Sequence, residues 1–152
     1  MHKSGGDIIV YIALIFTIIF IDYFSKFAIR KNIRLNESRE LIKDKLYLCR
    51  TENTGITYNM LSGRKKLIIF LNSVLIAYIS ILFKKFKNPC LRIGLSMVLG
   101  GALGNILDRI KNNSITDFVY IKHRKAPVFN VSDMFIAIGS VISGIFLFIN
   151  ME

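Results

Sequence analysis

Residues 8–29 read IIVYIALIFTIIFIDYFSKFAI, and the first 14 of them, Ile8–Ile21, carry no charged side chain. A helix needs about 20 mostly apolar residues to cross the hydrocarbon core of a bilayer. Further apolar runs follow at residues 67–83, 93–107 and 134–149. These runs lack the polar residues at helical period that a soluble helix bundle needs on its outer face. The sequence therefore predicts four membrane-spanning helices, over about residues 8–29, 67–83, 92–110 and 133–149.

The composition agrees with a membrane protein and excludes other classes. The 152 residues are 53% hydrophobic, with a mean hydropathy of +0.48, which excludes intrinsic disorder. The net charge of +11 would suit a nucleic-acid binder. The positive mean hydropathy contradicts that interpretation, because a small soluble domain needs a polar surface. The length favours a single membrane-embedded domain over residues 1–152.

The first apolar run also has the length of a signal-peptide core. No small-x-small cleavage site follows it, and the chain continues Asp22-Tyr-Phe-Ser-Lys26, so an uncleaved helix is expected. In residues 30–66, weak alternation around Leu46–Cys49 predicts short strands. The expected fold class is an all-α polytopic membrane protein with a small extramembrane β-containing segment between helices 1 and 2.

Intramembrane charges converge on one side of the membrane. With four spans, residues 30–66 and 110–133 lie on the same side, where helix 1 ends with Asp22 and Lys26 and helix 4 starts at Asp133. Charges at membrane depth are costly and usually mark function. Lys26 lies four residues after Asp22 and can neutralise it, either as a structural ion pair or within an active site.

The predicted third helix carries a polar stripe next to a small-residue face. Gly101, Asn105 and Arg109 are four residues apart, so they share one stripe of the helix. Gly100 and Gly104 form a small-xxx-small face on which another helix can pack closely. Packing explains the glycines but leaves Asn105 without a partner in an apolar run. We therefore expect Asn105 and Arg109 to have a positioning role.

Two further acids, Asp117 and Asp133, fall on the same side of the membrane. A pair of carboxylates is the minimum equipment for general acid–base hydrolysis, in which one activates water and the other donates a proton. Like charges held close cannot both ionise cheaply, so their pKa values must separate. The spacing alone favours structural roles instead, with Asp133 as a helix N-cap and Asp117 in a loop turn.

The sequence predicts no metal and no cofactor. Cys49 and Cys90 fall in consecutive inter-helix segments on opposite membrane faces, so they are not expected to pair or to form a metal site. His2 and His123 have no partners at metal-ligand spacing, and no Gly-rich phosphate loop is present.

Taken in order, these residues resemble the lipoprotein signal peptidases, or signal peptidase II, which are aspartic peptidases of the bacterial inner membrane. Gly100-Gly-Ala-Leu-Gly-Asn-Ile-Leu-Asp-Arg109 is similar to the family's third-helix motif, and Asp117-Phe118 to its first catalytic motif. Phe129-Asn-Val-Ser-Asp133 resembles the second catalytic motif, with Ser132 in place of the usual Ala. Asn53-Thr-Gly-Ile-Thr-Tyr58 resembles the Asn-x-Gly-x-x-Phe motif of the first outer segment, with Tyr58 in place of Phe.

The resemblance implies roles for these residues. Asp117 and Asp133 would be the catalytic dyad, and Asp22 and Lys26 would support the fold near the site. The residues that would shape the site or bind the substrate are Asn53, Gly55, Gly101, Asn105, Arg109 and Asn130. The implied reaction hydrolyses the peptide bond before a diacylglyceryl-modified cysteine of a prolipoprotein, near the outer membrane face. The resemblance also implies cytoplasmic termini and inhibition by globomycin-type lipopeptides.

Two other functions compete with this one. A small transporter or proton relay would need acids distributed over the membrane depth or an inverted repeat, and the sequence has neither. A non-catalytic anchor for anionic lipid explains the charge but not Asp22, Asp117 and Asp133.

The distribution of basic residues opposes the implied orientation. The two long segments on the dyad's side hold 15 of the 21 basic residues, and the other side holds five. The positive-inside rule would therefore place the dyad's side in the cytoplasm. We follow the motif order, with the hypothesis that the basic outer segments lie against anionic lipid headgroups.

Overall fold

The structure is a computed structural model that describes residues 4–56, 60–123 and 126–149. Its elements, in chain order, are α1 Ser4–Asn32, β1 Ser38–Ile42, β2 Leu46–Asn53, α2 Lys65–Lys85, α3 Pro89–Asn112, β3 Ile115–Ile121 and α4 Val131–Ile149. All four helices are long and apolar enough to cross a membrane. The prediction of four spans is confirmed, and each helix extends slightly beyond its predicted range. Thr57 and Tyr58 of the first outer motif lie outside the described residues.

Helix α3 lies at the centre and packs against the other three helices. Within its apolar window 67% of the residues are buried in the protein, against 17% for α1, 11% for α2 and 17% for α4. Lipid chains are as apolar as leucine, so helices in a membrane associate mainly through close packing of small residues. The glycines of α3 therefore explain why this helix, and not a more hydrophobic one, is central.

Gly101 and Gly104 allow α4 to begin directly against α3. A Cβ atom added at Gly104 would lie 2.5 Å from Ser132 Oγ and 2.9 Å from Asp22 Oδ2. At Gly101 it would lie 2.5 Å from the Ser132 carbonyl oxygen. Gly100 faces α1 instead, where its added Cβ would meet Ile18 at 3.0 Å. The predicted small-residue face is thus a packing surface for both α1 and α4.

Replacing Gly104 by Ala is expected to destabilise the protein by about 1–3 kcal/mol, because the added methyl group overpacks the contact with Asp22 and Ser132. Thermal unfolding in detergent micelles measures the effect. Gly144→Ala in α4 is the matched control, because an added Cβ there meets nothing within 4 Å. Equal stability of the two variants would contradict the packing role of Gly104.

The three strands form one antiparallel sheet in the order β1-β2-β3. The β1–β2 hairpin lies between α1 and α2, where short strands were predicted. Strand β3 was not predicted, because it lies between α3 and α4 and pairs with a strand that is distant in sequence, as in Thr51 opposite Asp117. The sheet therefore joins the two long segments beside the ends of α1 and α3.

Candidate active site

Asp117 lies in the middle of β3 and not in a turn, so the alternative of a loop-turn role is wrong. Its backbone pairs with Thr51 of β2, whose hydroxyl donates a 3.3 Å hydrogen bond to the Asp117 carbonyl oxygen. The side chain is buried. The pairing of β3 with β2 therefore restrains the backbone that carries this carboxylate.

Asp133 is not a helix N-cap, so this alternative is also wrong. Helix α4 begins at Val131, and Asn130 precedes it in the capping position. The Asn130 Oδ1 atom accepts a 3.0 Å hydrogen bond from the Asp133 backbone N–H, and Asp133 Oδ2 accepts one of 3.2 Å from the Asn130 N–H. This reciprocal capping box fixes the orientation of the Asp133 carboxylate.

Asn130 connects the two carboxylates. Besides capping α4, its Nδ2 atom donates a 2.7 Å hydrogen bond to Asp117 Oδ1. The other oxygen of Asp117 accepts a 3.2 Å bond from Asn53 Nδ2 at the end of β2. Asn130 is fully buried, so a single rigid amide sets the relative position of Asp117 and Asp133.

Asn105 supports Asp133 from α3. Its Nδ2 atom donates a 2.8 Å bond to Asp133 Oδ1, and its Oδ1 atom accepts a 3.0 Å bond from Lys26 Nζ. Lys26 forms a 2.8 Å ion pair with Asp22, whose Oδ1 accepts a bond of 2.9 Å from the Ser132 N–H. This chain of contacts runs from α1 through α3 to the start of α4, and both Asp22 and Lys26 are buried.

Arg109 holds the loop that follows β2. Its guanidinium donates a 2.7 Å bond to the Gly55 carbonyl oxygen, and the Gly55 N–H donates to Asn53 Oδ1 at 3.0 Å. The buried Arg109 Nε atom has no hydrogen-bond partner among the described residues. Asn53 is thus held between this loop and Asp117.

A cavity of about 440 Å³ opens between α2, α3 and α4, and both Asp117 and Asp133 line it. Its other polar lining includes Asn53, Asn105 and Arg109, and its apolar walls include Leu75, Val98 and Ile136. Five of the predicted site residues therefore meet in one place. The others lie around it and act through packing or hydrogen bonds, namely Asp22, Lys26, Gly55, Gly101 and Asn130.

The two carboxylates lie in different environments. Burial, and then the nearby Asp133 carboxylate, raise the pKa of Asp117 to about 7, although hydrogen bonds from Asn130 and Asn53 oppose the rise. Asp133 lies in the first turn of α4, where the helix dipole stabilises a negative charge. Because two neighbouring carboxylates cannot both ionise cheaply, the pair can hold one proton and one negative charge near neutral pH.

Asp108 was noted only as part of the third-helix motif, but it organises the end of α3. Its Oδ1 atom pairs with Arg30 at 2.9 Å, and its Oδ2 atom accepts a 2.9 Å bond from the Thr116 N–H, next to Asp117. Lys26 Nζ lies 3.6 Å from the same carboxylate. Its position in the third-helix motif is the feature of the sequence that could have indicated this role.

Glu52 was missed entirely. It precedes Asn53 in β2, pairs with Arg50 at 3.2 Å, and accepts a 2.8 Å bond from the Ser114 hydroxyl. Ser114 is 62 residues away in sequence, so no local pattern indicates this contact.

Within residues 4–56, 60–123 and 126–149, no group of three or more His, Cys, Asp or Glu residues is placed to hold a metal ion.

The protein has four apolar helices and two carboxylates that line one cavity. It is therefore a multi-pass membrane protein whose paired carboxylates can perform acid–base chemistry. Comparison with known proteins identifies the family. The family model described as Signal peptidase (SPase) II matches residues 14–149, so the chain belongs to the signal peptidase II family and is a peptidase of a bacterial membrane. The resemblance inferred from the sequence motifs is confirmed.

Individual relatives agree with this assignment. The chain is 31% identical over 139 residues to the lipoprotein signal peptidase of Halothermothrix orenii, covering 91% of this chain and 94% of the relative. It is 37% identical over 124 residues to that of Brevibacillus brevis, covering 80% and 83%. Two solved bacterial membrane enzymes share the fold. One has a TM-score of 0.90 at 23% identity, covering 100% of this chain and 94% of that one. The other has 0.87 at 24%, covering 99% of each.

Proposed function

We propose that this peptidase removes signal peptides from prolipoproteins by aspartic catalysis, hydrolysing the bond before a diacylglyceryl-modified cysteine with Asp117 and Asp133 as the dyad. The observation that carries the proposal is that both carboxylates line one cavity among apolar helices and are joined through Asn130. Membership in the signal peptidase II family supports the substrate class. No finding favours the transporter alternative.

The environments of the two acids suggest their roles. Asp133, at the N-terminus of α4, is the ionised group and takes a proton from water as the water oxygen attacks the scissile carbonyl carbon. Asp117 holds the proton and donates it to the carbonyl oxygen as the tetrahedral intermediate forms. When the C–N bond breaks, Asp133 passes its proton to the leaving amine and Asp117 recovers its own.

The lining of the cavity suits a lipid-modified peptide. Apolar side chains such as Leu75, Val98 and Ile136 offer surface for acyl chains, and the polar groups cluster at the dyad. The Asn105 and Arg109 side chains would position the substrate at the carboxylates. A substrate that is embedded in the bilayer requires a site at membrane depth, and this cavity lies between helices that are long and apolar enough to span a membrane.

The test is cleavage by the purified protein of a diacylglyceryl-modified prolipoprotein, with the unmodified precursor as the control. Mass spectrometry of the products should place the cut before the modified cysteine, and the unmodified precursor should remain intact. A globomycin-type lipopeptide should inhibit the reaction. No cleavage of the modified precursor would overturn the proposed function.

Activity should depend on the proton of Asp117. Its pKa of about 7 means that the proton is present below that pH and lost above it. We therefore expect kcat/KM to fall about tenfold per pH unit above neutrality. The profile is measured between pH 5 and 9, with the fold monitored by circular dichroism at each pH. A rate that kept rising to pH 9 would rule out Asp117 as the proton donor.

We also propose that the sheet and the dyad face the outer side of the membrane, with the termini in the cytoplasm. Reporter fusions at Glu40, in β1, and at Lys87, between α2 and α3, test this orientation. The fusion at Glu40 should report an outer location and that at Lys87 a cytoplasmic one. If the fusion at Glu40 reports a cytoplasmic location, the protein has the orientation that the positive-inside rule predicts, and the proposed orientation is wrong.

A further inference from the structure

A polar side chain on α2 lines the same cavity. Asn72 is partly buried and contributes to the cavity wall with Leu75, while the dyad is on β3 and α4. The hydroxyls of Ser73 and Ser80 on this helix each donate a 2.8 Å hydrogen bond to a carbonyl oxygen four residues earlier. Asn72, in contrast, has no hydrogen-bond partner among the described residues. Its amide is therefore available to a molecule in the cavity.

Asn72 lies at the depth of the dyad's supporting residues. It is seven residues after Lys65, the first residue of α2, which corresponds to about 10 Å along the helix axis. Asn105, which holds Asp133, is seven residues before Asn112, the last residue of α3, and so about as far from the same end of the bundle. The cavity is thus lined by amides from two helices at similar depth, and among the described residues Asn105 has hydrogen-bond partners and Asn72 has none.

An unpartnered amide at membrane depth has a free-energy cost, and polar groups in membrane spans usually mark a ligand or a pathway. An asparagine side chain offers one acceptor and one donor group, as a peptide group does. A substrate whose cleaved bond is exposed to the dyad must leave its helix there, so peptide N–H and C=O groups lose their partners in an apolar setting. The ester groups of a diacylglyceryl moiety offer acceptors only, so a peptide group is the better match.

We propose that Asn72 is a substrate-binding residue that forms a hydrogen bond with a main-chain amide of the signal peptide near the cleaved bond. This inference rests on the proposed function and adds a polar contact on α2, apart from the dyad. It assigns α2 a part in binding the peptide, beyond enclosing acyl chains.

Kinetics of Asn72→Leu and Asn72→Ala on a synthetic diacylglyceryl prolipopeptide test the proposal. Both variants lack the amide, and both should raise KM about two- to tenfold, as expected for one hydrogen bond between neutral groups, with kcat almost unchanged. Ser73→Ala, on the neighbouring exposed position, should leave both constants unchanged. The thermal unfolding temperature in micelles should be no lower for Asn72→Leu than for the wild type, because Asn72 forms no hydrogen bond with the described residues.

Modified substrates identify the group that Asn72 binds. Amides preceding the cleaved bond are replaced one at a time by esters, which removes the N–H. One such replacement should weaken binding to the wild type and leave Asn72→Leu unaffected. Replacing the acyl esters by ethers should leave the ratio of the two proteins' KM values unchanged. If the ether substrate removed that ratio, Asn72 would bind the lipid and the proposal would be wrong.

The outcomes separate this inference from the proposed function. If the wild type cleaves the prolipopeptide and both Asn72 variants match it, the role of Asn72 is wrong and the proposed function stands. If the wild type cleaves no prolipopeptide, both are overturned.

Discussion

Replacing Asp117 or Asp133 by Asn will lower the rate of prolipoprotein cleavage by at least about 10³-fold. Asparagine has nearly the same shape, but its single amide oxygen can accept only one of the two hydrogen bonds that each carboxylate accepts. It can neither hold the negative charge that activates water nor donate a carboxyl proton. The loss therefore falls on the chemical step, and single-turnover cleavage by the purified variants measures it.

Asp44→Asn is the matched control, because Asp44 is an exposed acid that pairs with Lys122 outside the helices. We expect it to retain wild-type turnover. Near-wild-type turnover by either dyad variant would show that the assigned dyad is wrong.

Asp117→Asn should be more stable than the wild type above neutral pH, although it is less active. The folded protein raises the pKa of Asp117 from 3.8 to about 7, so it keeps a proton that the unfolded chain has lost. The folding free energy therefore becomes less favourable as the pH rises from about 4 to 7, and the full penalty, at most about 4 kcal/mol, applies above it. Asparagine removes the penalty. The variant should unfold at a higher temperature than the wild type at pH 8 and show little difference at pH 4, which excludes misfolding as the cause of lost activity.

Replacing Lys26 by Met will destabilise the protein by about 3–5 kcal/mol. Lys26 is 1% exposed, pairs with Asp22 at 2.8 Å and donates to Asn105 at 3.0 Å. Removing the ammonium leaves a buried carboxylate without its counter-ion, and this costs more than the ion pair itself contributes. Chemical denaturation in mixed micelles measures the loss.

The double variant Lys26→Met/Asp22→Asn should lose less stability than the sum of the two single variants, because it has no uncompensated charge at position 22. Lys111→Met provides the control, since Lys111 is exposed and bonds to the Tyr23 hydroxyl at 2.9 Å. If Lys26→Met were no less stable than this control, the buried pair would have no structural importance.

Features that depend on local patterns were predictable. Each span must be apolar along its own length because lipid is its solvent, so the four helices could be read one at a time. The Asp22–Lys26 pair joins consecutive turns of one helix, and the β1–β2 hairpin joins neighbouring strands. The motifs around the two acids also predicted the correct protein family.

Other features depended on contacts between distant segments. The local sequence around Asp117 is compatible with a turn, and only the pairing of β3 with β2 makes it a strand residue. Asp133 is compatible with an N-cap by sequence, but Asn130 occupies that position. The roles of Glu52 and of the Arg109 contact with Gly55 likewise join residues more than 50 positions apart.

The sequence therefore determined the number of spans, the family and the residue types at the site, because these follow from local hydropathy and short motifs. Which side chains are in contact depends on how distant segments pack together. A uniformly apolar helix such as α2 can rotate about its axis without changing its hydropathy, so the sequence did not show that Asn72 faces the cavity. Packing against the glycine-rich α3 and pairing of β2 with β3 set those orientations and bring Asp117 and Asp133 together.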